Sequence, residues 1–198
     1  RVEIITRDTP EGLHVIRHSA AHVLADAVKR LRPAAKLWKG PAIDDPRFGF
    51  YYDIDLGDEP LSNEDLPAIE RLMGEIVAAD VPFEFRELPR SDTRALMAEH
   101  GEDYKLATID KIPEGAPITF YHSGEFVDLC KGPHVPSTGV IGKGIAVLSL
   151  AGAVFEDAEQ KKSLTRVYGH AFADRSSMDE HRARLEEAKK RDHRNEMV

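Results

Sequence analysis

Apolar residues recur at helical spacing between Leu13 and Leu31. Ile16, Ala20, Val23, Leu24, Ala27 and Leu31 fall on one stripe, and Pro33 ends the run. The pattern predicts a long N-terminal helix. Ahead of it, Val2, Ile4 and Ile5 read as the end of a strand, followed by a turn around Pro10 and Gly12. Two strand-like pieces come next, "AKLWKGPAI" and "FGFYYDIDLG"; in the second, Phe50, Tyr52 and Ile54 alternate with Tyr51, Asp53 and Asp55. "SNEDLPAIERLMGEIVAAD" opens on a Ser or Asn cap and first-turn acids. Its Leu66, Ile69, Leu72, Met73, Ile76 and Val77 make it an amphipathic helix. "VPFEFREL" reads as a strand, and "SDTRALMAEHG" as a short capped helix closed by Gly101. Strand candidates dominate thereafter: a hairpin "APITFYHSGEFVDLC" turning at "HSGE", then "GIAVLSLAGAVFE" and "SLTRVYGHAFAD", with a last helix from about Ser177. Helices gathered early and strands late predict an α+β fold, a mostly antiparallel sheet packed with helices.

Composition changes this picture little. With 198 residues, 41% hydrophobic and 31% charged, the chain can bury a substantial core and is too apolar for a disordered segment. No apolar run nears the roughly 18 residues of a membrane span, and no secretory signal pattern opens the sequence. A cytoplasmic location is the expectation. The chain does not begin with Met, so it is also read as a piece of a longer protein. The single cysteine excludes a disulfide scaffold. A net charge of -8 argues against a surface that is one broad nucleic-acid footprint. It leaves room for a nucleic acid that enters one local pocket.

Candidate chemistry lies in two short words. In "HSAAH", His18 and His22 stand one turn apart, opposite the apolar stripe of the first helix. They are either a solvent-facing pair or part of a site. In "FVDLCKGPH", strand alternation puts Phe126, Asp128 and Cys130 on one side and Val127 and Leu129 on the other. The strand cannot run through "KGP", so a turn can bring His134 back beside Cys130. Three imidazoles and one thiolate are donors that tetrahedral zinc accepts. Four protein ligands would leave no open position for water, so such a set is structural, or catalytic with one member released as base or substrate holder. Asp128 is either an ordinary exposed acid or a group that orients water or a histidine. The first word lacks the Glu of "HExxH", and "GxSxG" does not occur, which leaves a generic peptidase or esterase with little support. A cysteine nucleophile activated by a histidine stays open but does not explain the helix pair.

Taken with "GPAIDDPRFGFYYDID", "GEDYKLATI" and "RVYGHAFAD", these words resemble the editing domain of bacterial-type threonyl-tRNA synthetase, itself related to alanyl-tRNA editing domains. The likeness runs in order from about Leu13 to Asp192. It implies a preceding β-grasp domain whose tail or linker is residues 1–12, an editing domain at 13–176, and a C-terminal helix at 177–198 leading toward a synthetic domain. The implied activity is hydrolysis of seryl-tRNA(Thr) at the tRNA acceptor end, an aminoacyl-tRNA deacylase that cannot itself charge tRNA. The implied site residues are His18, His22, Asp128, Cys130, His134 and Lys105, with Tyr52 as a pocket tyrosine. His134 or His18 would position water with help from Asp128, and Cys130 would line a serine-sized pocket. Lys105 would meet the oxyanion or the terminal phosphate. Tyr52 would stack on adenine or bond the ribose. Alanyl relatives hold zinc with this constellation; for the threonyl branch the resemblance makes His18, His22, Cys130 and His134 candidate ligands of a zinc that is not obligatory. An Asp128→Ala change is expected to slow hydrolysis with the fold intact. The segment "VFEDAEQKK" departs from the family pattern, Glu156 and Asp157 adding negative charge where tRNA would be met. The alternative from another class is a metal-stabilised tRNA-binding module without hydrolysis.

Overall fold

A computed structural model of the chain describes residues 4–195. The first helix, α1 (Pro10–Leu31), begins at Pro10 rather than Leu13. Thr9 caps it, its hydroxyl accepting the Gly12 N–H at 3.1 Å, and proline takes the first helical position, where a missing N–H costs nothing. The turn expected at Pro10 and Gly12 is therefore its first turn. Ile4 and Ile5 join no strand and are exposed, and Val2 lies outside the described residues.

The fold is α+β, and its antiparallel strands form two sheets rather than one. The larger is ordered β1-β2-β7-β6, from β1 (Lys36–Lys39), β2 (Phe50–Asp55), β6 (Ile145–Glu156) and β7 (Lys161–Ala171). The smaller is β3-β4-β5, from β3 (Phe83–Leu88), β4 (Ile118–Ser123) and β5 (Phe126–Leu129). Phe50, Tyr52 and Ile54 turn inward from β2 as their alternation predicts. Asp53 is also buried, because Arg166 opposite it on β7 clasps both its oxygens at 2.7 and 2.8 Å.

Helix α2 (Leu66–Ala79) follows a single 3-10 turn and buries Ile69, Met73, Ile76 and Val77 against α1. Ser62 starts it, its N–H held by the Asp65 carboxylate at 2.7 Å. Helix α3 (Arg90–Glu99) is entered from Pro89 with no serine cap; Gly101 just beyond it takes the left-handed φ of +69°. Helix α5 (Arg175–Asn195) is the expected last helix. No helix among the described residues is long and apolar enough to cross a membrane.

The element that periodicity did not predict is α4 (Asp103–Asp110). Eight residues show too little contrast between faces for a helical signal. Tertiary contacts fix it instead. Tyr104 packs edge-on against Phe155 at 4.8 Å and donates its hydroxyl to Asp55 on β2. Glu102, at the N-terminal boundary of α4, is buried and accepts from the Leu37 N–H of β1 at 2.8 Å and from Lys29 of α1.

Candidate active site

Residues 19–28 of α1 are all buried, including the side that carries His22. The helix runs between two layers: the large sheet and α2 pack its apolar stripe, and the β4–β5 hairpin with Phe83 covers the other side. The solvent-facing reading of the histidine pair is thus overturned, since the helix has a second layer over that face. His22 stands 6.1 Å from the Phe126 ring and 6.4 Å from Phe83, centroid to centroid.

From β5, Phe126, Asp128 and Cys130 reach this helix face, while Val127 and Leu129 join the small core under α3 and α4. After Cys130 the chain turns through Gly132, whose φ is +73°, and a Cβ there would meet Tyr121 Oη at 2.3 Å, so only glycine fits. The turn returns His134. Cys130 Sγ lies 3.3 Å from His18 Nε2 and 3.3 Å from His134 Nε2, and accepts the Gly132 N–H at 3.2 Å. His134 sits against Phe83 at 5.0 Å and His22 at 4.2 Å between ring centroids.

Beside this cluster is a buried charge relay. Tyr52 Oη donates to Asp128 Oδ2 at 2.5 Å and accepts from Lys105 Nζ at 2.9 Å. Lys105 Nζ also lies 2.5 Å from Asp128 Oδ1, a contact of opposite charges whose angles fall outside hydrogen-bond geometry, so Oδ1 has an ion-pair neighbour but no directed bond. His22 Nε2 approaches Oδ2 at 3.5 Å. Asp128 is 2% exposed and Lys105 4%, which rules out the reading of either as an ordinary surface charge.

Burial sets the protonation states. His134 is pushed down to about 2 by loss of water, then by His22 and His18; His18 and His22 are lowered for the same leading reason. Burial pushes the Cys130 thiol up to about 11. Three neutral imidazoles and a protonated thiol therefore face one another at neutral pH. A thiolate nucleophile finds no support in this environment.

The cluster opens into a cavity of about 350 Å³ lined by His18, His22, Lys105, Asp128 and Cys130 on one side and by Trp38, Lys39, Gly40 and Pro41 opposite. Tyr52 does not reach it. Its ring is fully buried, so it presents no face to an adenine, and it serves instead to hold Asp128 and Lys105. Lys105 lines the cavity and is 4% exposed. Glu156 and Asp157 do not line this space: Glu156 faces Lys161 at 3.4 Å, and Asp157 accepts the Glu159 and Gln160 N–H groups at 2.9 Å in the β6–β7 turn.

Sequence reasoning missed Ser19 and Trp38. Ser19 sits between the apolar stripe and the histidine side of α1, and a hydroxyl at such a position needs a partner; that was the available signal. Trp38 gave none, because its place depends on how β1 meets α4.

The four candidate metal ligands pass a test of donors and spacing. One atom each from His18, His22, Cys130 and His134 lies within 4.8 Å of the others. Tetrahedral zinc, with bonds of about 2.0–2.3 Å, sets its ligands roughly 3.3–3.6 Å apart. The two Cys130–histidine edges at 3.3 Å match this, and His18 Nδ1 has the backing carbonyl of Pro133 at 3.2 Å.

Residues 118–168 match the family described as the threonyl and alanyl tRNA synthetase second additional domain. That stretch carries Asp128, Cys130 and His134. The likeness to threonine–tRNA ligases extends over nearly the whole chain. It is 49% identical over 193 residues to threonine–tRNA ligase 1 of Bacillus subtilis (strain 168), and 50% over 193 residues to the threonine–tRNA ligase of Nitratidesulfovibrio vulgaris. For the Maricaulis maris threonine–tRNA ligase the figure is 48% over 194 residues. Each alignment covers 98% of this chain but only 29–30% of the relative, so the chain spans under a third of their length.

Proposed function

We propose that this domain hydrolyses the ester of mischarged seryl-tRNA(Thr), releasing serine and tRNA. The observation that carries the reading is the convergence of His18, His22, Lys105, Asp128 and Cys130 on one open cavity, with His134 beside the thiol. A site for ester hydrolysis needs an acceptor for a water proton, a cation for the oxyanion and a wall that measures the acyl group. Neutral His134 and His18 supply acceptors. Lys105, an ammonium with three N–H groups, gives one to Tyr52 and leaves others for a developing oxyanion. Asp128 holds Lys105 in place, its Oδ1 lying 2.5 Å from Nζ. Cys130, protonated, walls the space where a serine side chain ends. Water attacks the carbonyl carbon, its proton passes to an imidazole nitrogen, and collapse breaks the ester C–O bond as that proton moves to the departing ribose oxygen.

A synthetic site rejects an amino acid smaller by one methyl only about 10–200-fold, which is the physical case for a second, smaller pocket. Zinc bound by His18, His22, Cys130 and His134 would stiffen this wall with no open position left for water. The reading above asks nothing of it.

The test offers seryl- and threonyl-tRNA(Thr) to the 198-residue chain. Serine is released faster, by roughly the 10–200-fold that one methyl is worth, and His134→Ala abolishes the difference. Equal, slow release from both, unchanged in His134→Ala, refutes the reading. The same result with one zinc held per chain favours a metal-stabilised tRNA-binding module, which the spacing of the four ligands would then explain.

A further inference from the structure

The hydroxyl of Ser19 meets three groups. Val15 O is at 2.8 Å, His134 Nδ1 at 3.0 Å and the Val135 N–H at 3.1 Å. A hydroxyl has one proton and two lone pairs. The Val135 amide can only donate, so it takes one lone pair; the Val15 carbonyl can only accept, so at the shortest of the three distances it takes the proton. One lone pair remains, and only an Nδ1–H can fill it. We propose that Ser19 is a positioning residue that holds His134 as its Nδ1–H tautomer, leaving the Nε2 lone pair toward Cys130.

The consequence depends on His18. Its Nδ1 faces the Pro133 carbonyl at 3.2 Å, which fixes His18 as Nδ1–H as well. Two Nε2 lone pairs then converge on Cys130 Sγ at 3.3 Å each, and a thiol has one proton to give. One lone pair is left over, and it is the acceptor that an attacking water requires. The competing arrangement turns the Ser19 proton onto His134 Nδ1. His134 Nε2–H would then donate to sulfur, and the S–H to His18 Nε2. Every acceptor in that chain is occupied and no base remains. Ser19, anchored through Val15 O and Val135 N, selects between the two. It is fully buried, so water does not compete for its hydroxyl.

Only the kinetic arm of the test rests on the hydrolytic reading. Nitrogen-15 spectra of the chelator-treated chain at neutral pH read the tautomer directly. Wild type shows a pyrrole-type Nδ1 and a pyridine-type Nε2 at His134. Ser19→Ala reverses the assignment, and Ser19→Thr, which keeps the hydroxyl, restores it. An Nε2–H tautomer in wild type overturns the proposal without reference to any variant, as does an unchanged tautomer in a folded Ser19→Ala protein. In the kinetic arm, kcat for serine release falls at least about tenfold in Ser19→Ala with KM held. A change confined to KM overturns the positioning role. A chain with no deacylase activity would refute the proposed function and leave the spectra to judge Ser19.

Discussion

Replacing Asp128 by alanine tests how the site is held together. Its side chain is 2% exposed, that of its partner Lys105 is 5% exposed, and the two charges lie 2.5 Å apart. Removing the carboxylate leaves a buried ammonium with no counter-charge and leaves the Tyr52 hydroxyl without its acceptor. Breaking one side of a buried pair costs about 3–5 kcal/mol, a large part of the roughly 5–15 kcal/mol that holds a typical domain. The burial therefore revises the expectation, drawn from sequence, that Asp128→Ala slows hydrolysis in an intact fold: stability falls along with activity. Urea unfolding followed by circular dichroism measures the loss. A double-mutant cycle with Lys105→Met isolates the pair. Each single change is costly, and the double variant is at least about 2 kcal/mol more stable than the two losses added together predict. Singles that cost under about 1 kcal/mol and add within about 0.5 kcal/mol would show that the pair is solvated and the reasoning wrong.

Acid should weaken the fold through the same cluster. Burial holds the His134 pKa at about 2, against about 6.5 for an accessible imidazole, so the unfolded chain takes up its proton first as pH falls. Its contribution is whole above pH 6.5 and declines below it, by about 1.5 kcal/mol between pH 6.5 and 5. Metal-free wild type thus loses more stability over that range than His134→Asn, and parallel curves for the two proteins would count against the buried neutral imidazole. Gly40→Ala strikes the site from behind: the added Cβ would sit 2.1 Å from Tyr52 Cδ2, on a ring that is fully buried. Overpacking of about 1–3 kcal/mol lowers the melting temperature by roughly 2–12 °C and slows serine release; a melt within about 1 °C of wild type would show that the ring yields.

Much of the fold was legible because burial follows period. α1, α2, the β4–β5 hairpin and the β6–β7 pair were all marked by where their apolar residues fall. Alternation on β5 also placed Asp128 and Cys130 on one side, and the break at "KGP" returned His134, so half of the site was written locally. What could not be read was the second layer. A helical wheel shows that His18 and His22 lie away from the leucines, but not that a three-stranded sheet covers them. The same blindness hid the burial of Asp128 and Lys105, the removal of Tyr52 from the cavity, and α4, whose sequence is too short to display a face. It also divided one expected sheet into two, since pairing partners are chosen by long-range contacts that no window of sequence contains.

The cavity's two walls come from separate stretches of the chain. His18, His22, Lys105, Asp128 and Cys130 occupy one, while Trp38, Lys39, Gly40 and Pro41, on and just after a short edge strand, make up the other. The walls are nonetheless joined from behind: Gly40 backs onto the Tyr52 ring, and that ring's hydroxyl holds Asp128 and Lys105, so a change on the Trp38–Pro41 stretch is transmitted by packing to the buried pair across the cavity.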